Sequence, residues 1–498
     1  MATVSPSITS SFLPKKSKFS VIKNPKSKNL KSIPCKAING EQEHPQHKFD
    51  RRDVLIGLGG LYYGAASLND AMAAPISAPE MEKCGRADVP QGVPTTDCCP
   101  PVSKKILDFK PPFSNSPVRV RPAAHLVDDE YIRKYTKAIE LMKALPHDDP
   151  RSFMQQANVH CAYCEGAYDQ FRNSRHYPPT TVDLDYNGED EDETKMNKDQ
   201  VKSNLRIMYR QMVSNAKTPR LFLGGPFRAG DEPYQGSGSI ENVPHGPVHV
   251  WCGDDKQPNG EDMGTFYSAA RDPIFYAHHS NVDRMWSIWK TIENIKRKDL
   301  NDPDWLNASF LFYDENANLV RVKVRDCLDH RKLGYDYQFV DLPWLKEKPT
   351  PRKLTKKNKA PPPPVPSTEF VLDKPVRVNV ERPRKSRSKT EKEEKEEILV
   401  IGIELKGDLF VKFDVYVNDE DDAGSNIGSE NTEFAGSYVN VPNKHKQGKT
   451  LKTCLRLGLT DLLEDLGADD DDSIVVTLVP KYGKGNIKIS DIKIEFDN

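Results

Sequence analysis

From Met1 to Gly40 the chain has not one Asp or Glu, while Ser, Lys and Thr are abundant. An acid-free N-terminus is the composition of an organelle transit peptide, not of a folded domain. Net charge is also nearly absent, at −1 over 498 residues, so no global field draws the protein to nucleic acid or an anionic membrane. A bilayer-spanning run is lacking too. The best candidate, RRDVLIGLGGLYYGAASLNDAMAAP, is Gly-rich and interrupted by Asn69 and Asp70, which argues against stable membrane insertion. Its twin arginine (Arg51, Arg52), its apolar stretch and the AMA before Ala74 read instead as a twin-arginine signal. A transit peptide followed by that signal, cleaved near Ala73, predicts passage through the import and twin-arginine machineries to the thylakoid lumen of a plastid. There is no internal repeat. The CxxC of Cys161 and Cys164 has no second CxxC or HxxxH at zinc spacing, so zinc is not favoured.

Behind residues 1–73 the composition divides the chain. Residues 74–345 carry helical patterns. DEYIRKYTKAIELMKAL, from Asp129, has apolar residues at helical spacing. Asp149-Pro150 and Asp272-Pro273 are helix starts with Pro in the first turn. The first of these leads into Val159, His160 and Cys164, the second into Phe275, His279 and Trp289. A further helix is expected over residues 202–216. Residues 183–193 form an acidic loop. Residues 346–368, with EKPTPRKLTKKNKAPPPPVPS, read as a stiff, exposed, protease-sensitive linker. Residues 369–498 hold short alternating runs such as VRVNV, ILVIGIEL and IVVTLV, the pattern of an antiparallel sandwich. Of nine cysteines, Cys84, Cys98, Cys99, Cys161 and Cys164 cluster early in the mature chain, where a lumen permits disulfides.

The chemistry lies in the histidines. His245 and His249, in HGPVH, are four apart, which puts both imidazoles on one helix face. Pro244 and Pro247 require that face to be in a first turn. His278 and His279 lie on the Asp272 helix about 100° apart, so only one is expected to join the same metal. Asp283, one turn beyond His279, is a candidate to orient it. Three neutral imidazoles suit copper or zinc.

HGPVH followed by DPIFYAHHSNVDRMW resembles the second copper half of the plant polyphenol oxidases, or catechol oxidases, which are tyrosinase-like type 3 copper proteins. The likeness continues in DPDWLNASFLFYDENA, GYDYQ and LFVKFDVYVND and covers nearly the whole chain. It implies a mainly α dicopper core followed by an all-β C-terminal domain that covers the site and keeps the enzyme latent until an activating protease cuts the linker. A purely stabilising β domain is the alternative. It implies that His245, His249 and His279 hold the second copper, with His278 beside a phenolic substrate. Glu241 would orient a water and accept a phenol proton, and Phe266 would gate the site. Cys84 would pair with Cys99, and Cys98 with Cys161. Gly246, which offers no base-assisting side chain, would favour diphenols. The implied reaction takes o-diphenols to o-quinones as O₂ becomes water. Cys252 stands where relatives usually carry Thr.

The resemblance breaks after HCAYCEGAYDQ. His160 matches the first ligand of the first copper, and Cys164 the cysteine that forms a thioether to the second ligand. The stretch that would bring two more histidines is absent, and Gln170 runs directly into FRNSRHYPPTT. The copper domain is thus expected to be internally truncated near residues 170/171. His176, His125, His147, His330 and His445 match no ligand position. A copper with one imidazole cannot compete with bulk ligands. The alternative to an oxidase is therefore an inactive or single-copper member in which only His245, His249 and His279 are intact.

Overall fold

A computed structural model describes residues 99–497 apart from 113–115, 165–171, 191–196, 226–234, 258–259, 267, 293–296, 353–361, 420–426 and 443–449. The expected signals, Cys84, Cys98, the middle of the linker and His445 lie outside the described residues, as does the side chain of Cys164.

The helical half is built on α1 (Asp129–Lys143), α2 (Phe153–Cys164), α3 (Asn197–Tyr209), α4 (Pro219–Leu223), α5 (Gly246–Cys252) and α6 (Ile274–Trp289). Two starts have a clear local cause. Asp128 accepts from the Tyr131 N–H at 2.8 Å and caps α1. Thr218 caps α4 ahead of Pro219. α3 begins earlier than the expected 202 and runs into a π-helical turn, Arg210–Ser214, where one extra residue is accommodated. Trp289 and Phe222 stack with ring centroids 4.6 Å apart, and Trp289 Nε1 donates to Ala216 O at 2.6 Å. They centre a core that also takes in Met208, Met212, Ile240 and Met285.

Small sheets edge this half. β1 (Ile106–Asp108) pairs parallel with β4 (Leu319–Lys323), which pairs antiparallel with β3 (Ser309–Tyr313). β2 (Arg119–Arg121) pairs parallel with β5 (Tyr335–Tyr337). The proline-rich N-terminal segment thus wraps the core by lending strands to residues two hundred positions away.

The C-terminal half is a sandwich of two four-stranded sheets. One orders β10 (Phe434–Asn440), β9 (Val411–Val417), β12 (Ser473–Tyr482) and β7 (Val376–Glu381). The other orders β11 (Thr450–Gly458), β8 (Glu397–Lys406), β13 (Ile487–Phe496) and β6 (Phe370–Val371). All named pairings here are antiparallel. Alternation sends Leu399, Ile401, Ile403, Phe413, Val415, Val476, Leu478, Ile489 and Ile492 into one shared core.

The halves meet through buried polar groups as well as apolar ones. Lys412 on β9 is fully buried. Its Nζ donates to Asp414 Oδ1 at 2.9 Å and to Asn187 Oδ1 at 2.8 Å, and lies 3.1 Å from Asp185 Oδ1. Ser437 Oγ donates to Asp414 Oδ1 at 2.7 Å. Arg210 reaches Asn431 O at 2.9 Å, and Asn215 Nδ2 donates to Ala435 O at 2.9 Å. A lone buried charge would be prohibitive; clustering lets each group satisfy another.

Candidate metal centre

Two elements bring the histidines together. Glu241–His245 forms a π-helical turn broken at Val243, which is extended, and at Pro244. α5 starts directly after it, with Pro247 in its first turn. His245 therefore stands at the mouth of α5 and His249 one turn on, as their spacing predicts. α6 presents His278 and His279 to them. The ligand atoms of His245, His249 and His278 all lie within 4.8 Å of one another. His249 Nε2 lies 3.3 Å from His279 Nε2. The ring of His245 is 5.0 Å from that of His279 and 5.4 Å from that of His278.

Both α6 histidines thus face the cluster, whereas the sequence pointed to one. A second expectation is also corrected. Asp283 is taken up by other groups: it accepts from Tyr335 Oη at 2.7 Å and from Tyr337 Oη, with Arg121 at 3.7 Å. The group that orients a ligand is a backbone carbonyl. His249 Nδ1 donates to Met263 O at 2.7 Å, which leaves Nε2 as the lone-pair nitrogen aimed into the cluster. No local sequence signal marks Met263 for that part.

The site is dry. Burial pushes His249 down to about 4 and His278 to about 3, and holds His245 and His279 well below the ordinary imidazole value. Neutral imidazole is the form that binds a metal. His245 Nε2 and His278 Nε2 are buried without a hydrogen-bond partner. Buried polar nitrogens of that kind, converging with two more, fit a thiophilic or imidazole-loving ion such as copper.

Of the remaining expected residues, His160 and Phe266 lie beside this cluster. His160 on α2 packs edge-on against Phe275 at 4.7 Å, and Phe275 lies 4.1 Å from His279. Burial and the neighbouring His249 push His160 down to about 3. Phe266 lies 6.5 Å from His249 and joins an apolar group with Val439 and Val441 of the C-terminal half. Burial lifts the Glu241 carboxyl to about 7, against a hydrogen bond from Ser237. A Cβ placed on Gly246 would meet Val439 Cγ1 at 3.3 Å and Val441 Cγ2 at 3.4 Å. The β10 end therefore closes this side of the cluster. Asn242 Oδ1 accepts from Val439 N at 3.4 Å, and Thr265 Oγ1 donates to Pro442 O at 3.3 Å.

Other histidines are occupied elsewhere. His176 stacks on Trp251 at 3.5 Å, with Nδ1 2.6 Å from Trp251 O and Nε2 2.7 Å from Asp190 Oδ1. His330 contacts Ser287 Oγ at 3.1 Å and Asp336 Oδ1 at 3.0 Å. Cys99 and Cys161 are disulfide-bonded. Cys252 is a free thiol that burial pushes up to about 11.

Comparison with known proteins agrees with this arrangement. Residues 131–292 match the common central domain of tyrosinase, 299–350 the polyphenol oxidase middle domain, and 368–496 the chloroplastic polyphenol oxidase C-terminal domain. The chain is 51% identical to a chloroplastic polyphenol oxidase of Malus domestica, over 98% of this chain and 96% of that one. The chain belongs to the plant polyphenol oxidase family. It is also 49% identical to an aureusidin synthase of Antirrhinum majus, over 89% of this chain and 93% of that one. Among solved structures, latent apple tyrosinase superposes with a TM-score of 0.72 at 51% identity, covering 79% of this chain and 100% of that one. Recombinant latent aurone synthase superposes at 0.79 with 36% identity, covering 85% of this chain and 99% of that one. Within this copper-oxidase family, the helical half with its histidine cluster is the tyrosinase-like core. The sandwich is the polyphenol oxidase C-terminal domain.

Proposed function

We propose that this polyphenol oxidase takes o-diphenols to o-quinones: two catechols give up four electrons and four protons, and O₂ becomes two waters. The observation that carries this is the cluster of buried His245 and His249 with half-buried His278 and His279, kept neutral by desolvation. His245 and His249, with His279 as the third ligand, would hold a copper. Copper bound there would supply redox chemistry between phenol and O₂. The chain's own residues do the rest. Glu241, poised near neutrality, takes a phenol proton. His278 and Phe266 position the ring, and Val439 and Val441 exclude water from the Gly246 side. Gly246 offers no group to assist a monophenol, so diphenols are the favoured class. The chloroplastic names of the relatives support residence in a plastid; the twin-arginine signature of residues 51–73 supports delivery to the thylakoid lumen, with cleavage near Ala73. A protease acting on the linker would then cut the covalent tie between cover and core.

A second reading rests on one observation. The alignment with the Malus domestica relative runs over 581 residues although this chain has 498, so that relative carries positions this chain lacks. Placed near 170/171, the gap would remove two ligands of the first copper and the thioether partner of Cys164, leaving a single-copper or inactive member. Copper per purified chain, measured with O₂ uptake on catechol, separates the two. About two coppers with uptake supports the oxidase. One or none without uptake supports the second reading.

A further inference from the structure

Four imidazoles, rather than three, surround one point. The ring centres of His245, His249, His278 and His279 stand 4.7 to 5.6 Å apart in all six pairings. Four objects at near-equal spacing outline a tetrahedron; a planar square would set its two diagonals well beyond its edges. Imidazoles bound tetrahedrally, with metal–nitrogen bonds of about 2.0–2.1 Å, have their nitrogens about 3.3 Å and their ring centres about 5 Å apart. His249 Nε2 and His279 Nε2 are already 3.3 Å apart. The ligand atoms of His245, His249 and His278 lie within 4.8 Å of one another, and His279 meets that trio through His249. Closing all four on one ion therefore takes ring rotations, not a move of α5 or α6.

His278 is prepared as His249 is. His249 Nδ1 donates to Met263 O at 2.7 Å. His278 hydrogen-bonds the backbone of His245, and its Nε2 is buried with no hydrogen-bond partner, so Nδ1 is the nitrogen that donates. In both rings the backbone fixes one nitrogen and the other keeps its lone pair for the cluster. A buried nitrogen left without a partner is costly, and a metal bond would satisfy it.

We propose that in this chain His278 is a copper ligand, completing a single four-imidazole site with His245, His249 and His279. The inference rests on the single-copper reading above. Beside a second copper, His278 is left to face the substrate; with one copper, it closes on that ion as the fourth donor. Four protein donors fill the tetrahedron and leave no open position for O₂ or a phenol. The copper is then held firmly and turns over catechol poorly.

The test uses the full chain, stripped of metal and titrated with copper(II) sulfate against a competing chelator. Copper is counted by mass spectrometry, its ligands by X-ray absorption and its unpaired spin by electron paramagnetic resonance. One copper per chain is expected, fully visible in the resonance spectrum, with four imidazole nitrogens around it. His278→Ala and His279→Ala each weaken copper binding at least ~10-fold and lower the nitrogen count by one, whereas the exposed His125→Ala changes neither. The metal-free variants keep the wild-type circular dichroism spectrum; if they do not fold, the nitrogen count of the wild type decides alone. Three imidazoles on the wild-type copper, or an affinity that responds to His279→Ala and not to His278→Ala, would overturn the proposal and leave the single-copper reading standing. Two coppers in a resonance-silent pair, or no copper at all, would remove that reading and the proposal with it.

Discussion

In the C-terminal sandwich, residues from seven strands meet in one continuous apolar core. In the helical half, among the described residues, the apolar side chains divide into several smaller groups around Trp289, Val243 and Met263, and α1 joins none of them as a buried member. The sandwich is closed by its own sequence. The helical half is assembled around five imidazoles and leaves a helix in water. The contrast shows where a shortened chain would be felt. A gap on the α2 side costs the helical half its covering without touching the sandwich, because no sandwich strand is drawn from there.

The sharpest way to break this comparison is at the seam. Lys412→Met leaves Asp185 without its cation and Asp414 with only Lys481, 3.4 Å away, and about 3 kcal/mol of stability should be lost; chemical denaturation of the full chain measures it. A loss under 1 kcal/mol would mean that this charge cluster contributes little to holding the two halves together. The next effect is in pH. Glu241 has its carboxyl raised by burial from 4.5 to about 7. The fold's preference for the protonated form is complete below about 4.5 and is lost as pH rises through 7. Glu241→Gln should remove a decline of roughly 2–3 kcal/mol between pH 4.5 and 8 and slow any catechol turnover. A wild-type curve flat over that interval would rule the assignment out. The smallest effect belongs to α1. Leu141→Ala should change stability by less than ~0.5 kcal/mol, as an exposed substitution does, whereas Phe413→Ala in the sandwich core should cost about 3–5 kcal/mol. Similar values for the two would erase the contrast.

Local signals carried most of what was legible in the sequence. HGPVH placed His245 and His249 correctly because four residues is one helical turn. The alternating runs gave the sandwich because each strand's pattern is self-contained. DEYIRKYTKAIELMK gave α1 by its period, though period alone cannot tell whether a face finds a partner. What was not legible is long-range. Asp283 sits one turn from His279, yet its partners Tyr335, Tyr337 and Arg121 arrive from β5 and β2. Met263 orients His249 through a backbone carbonyl, which any residue type could supply. His278 faces the cluster because of how α6 lies against α5, an angle that helical spacing does not encode. Lys412 and Asp185 are more than two hundred positions apart, and only the folded chain puts them 3.1 Å from each other.

That seam has a consequence for processing. A cut between residues 352 and 362 severs a covalent thread, but Thr350 still donates to Glu430 O at 3.0 Å and Asn379 to Pro363 O at 2.8 Å, so both new ends stay tethered. For the sandwich to depart, Lys412 and two carboxylates must be rehydrated together. A nicked molecule therefore travels as one particle through gel filtration and separates into two fragments only in denaturant. Cleavage sets the timer, and detachment is a separate, slower event.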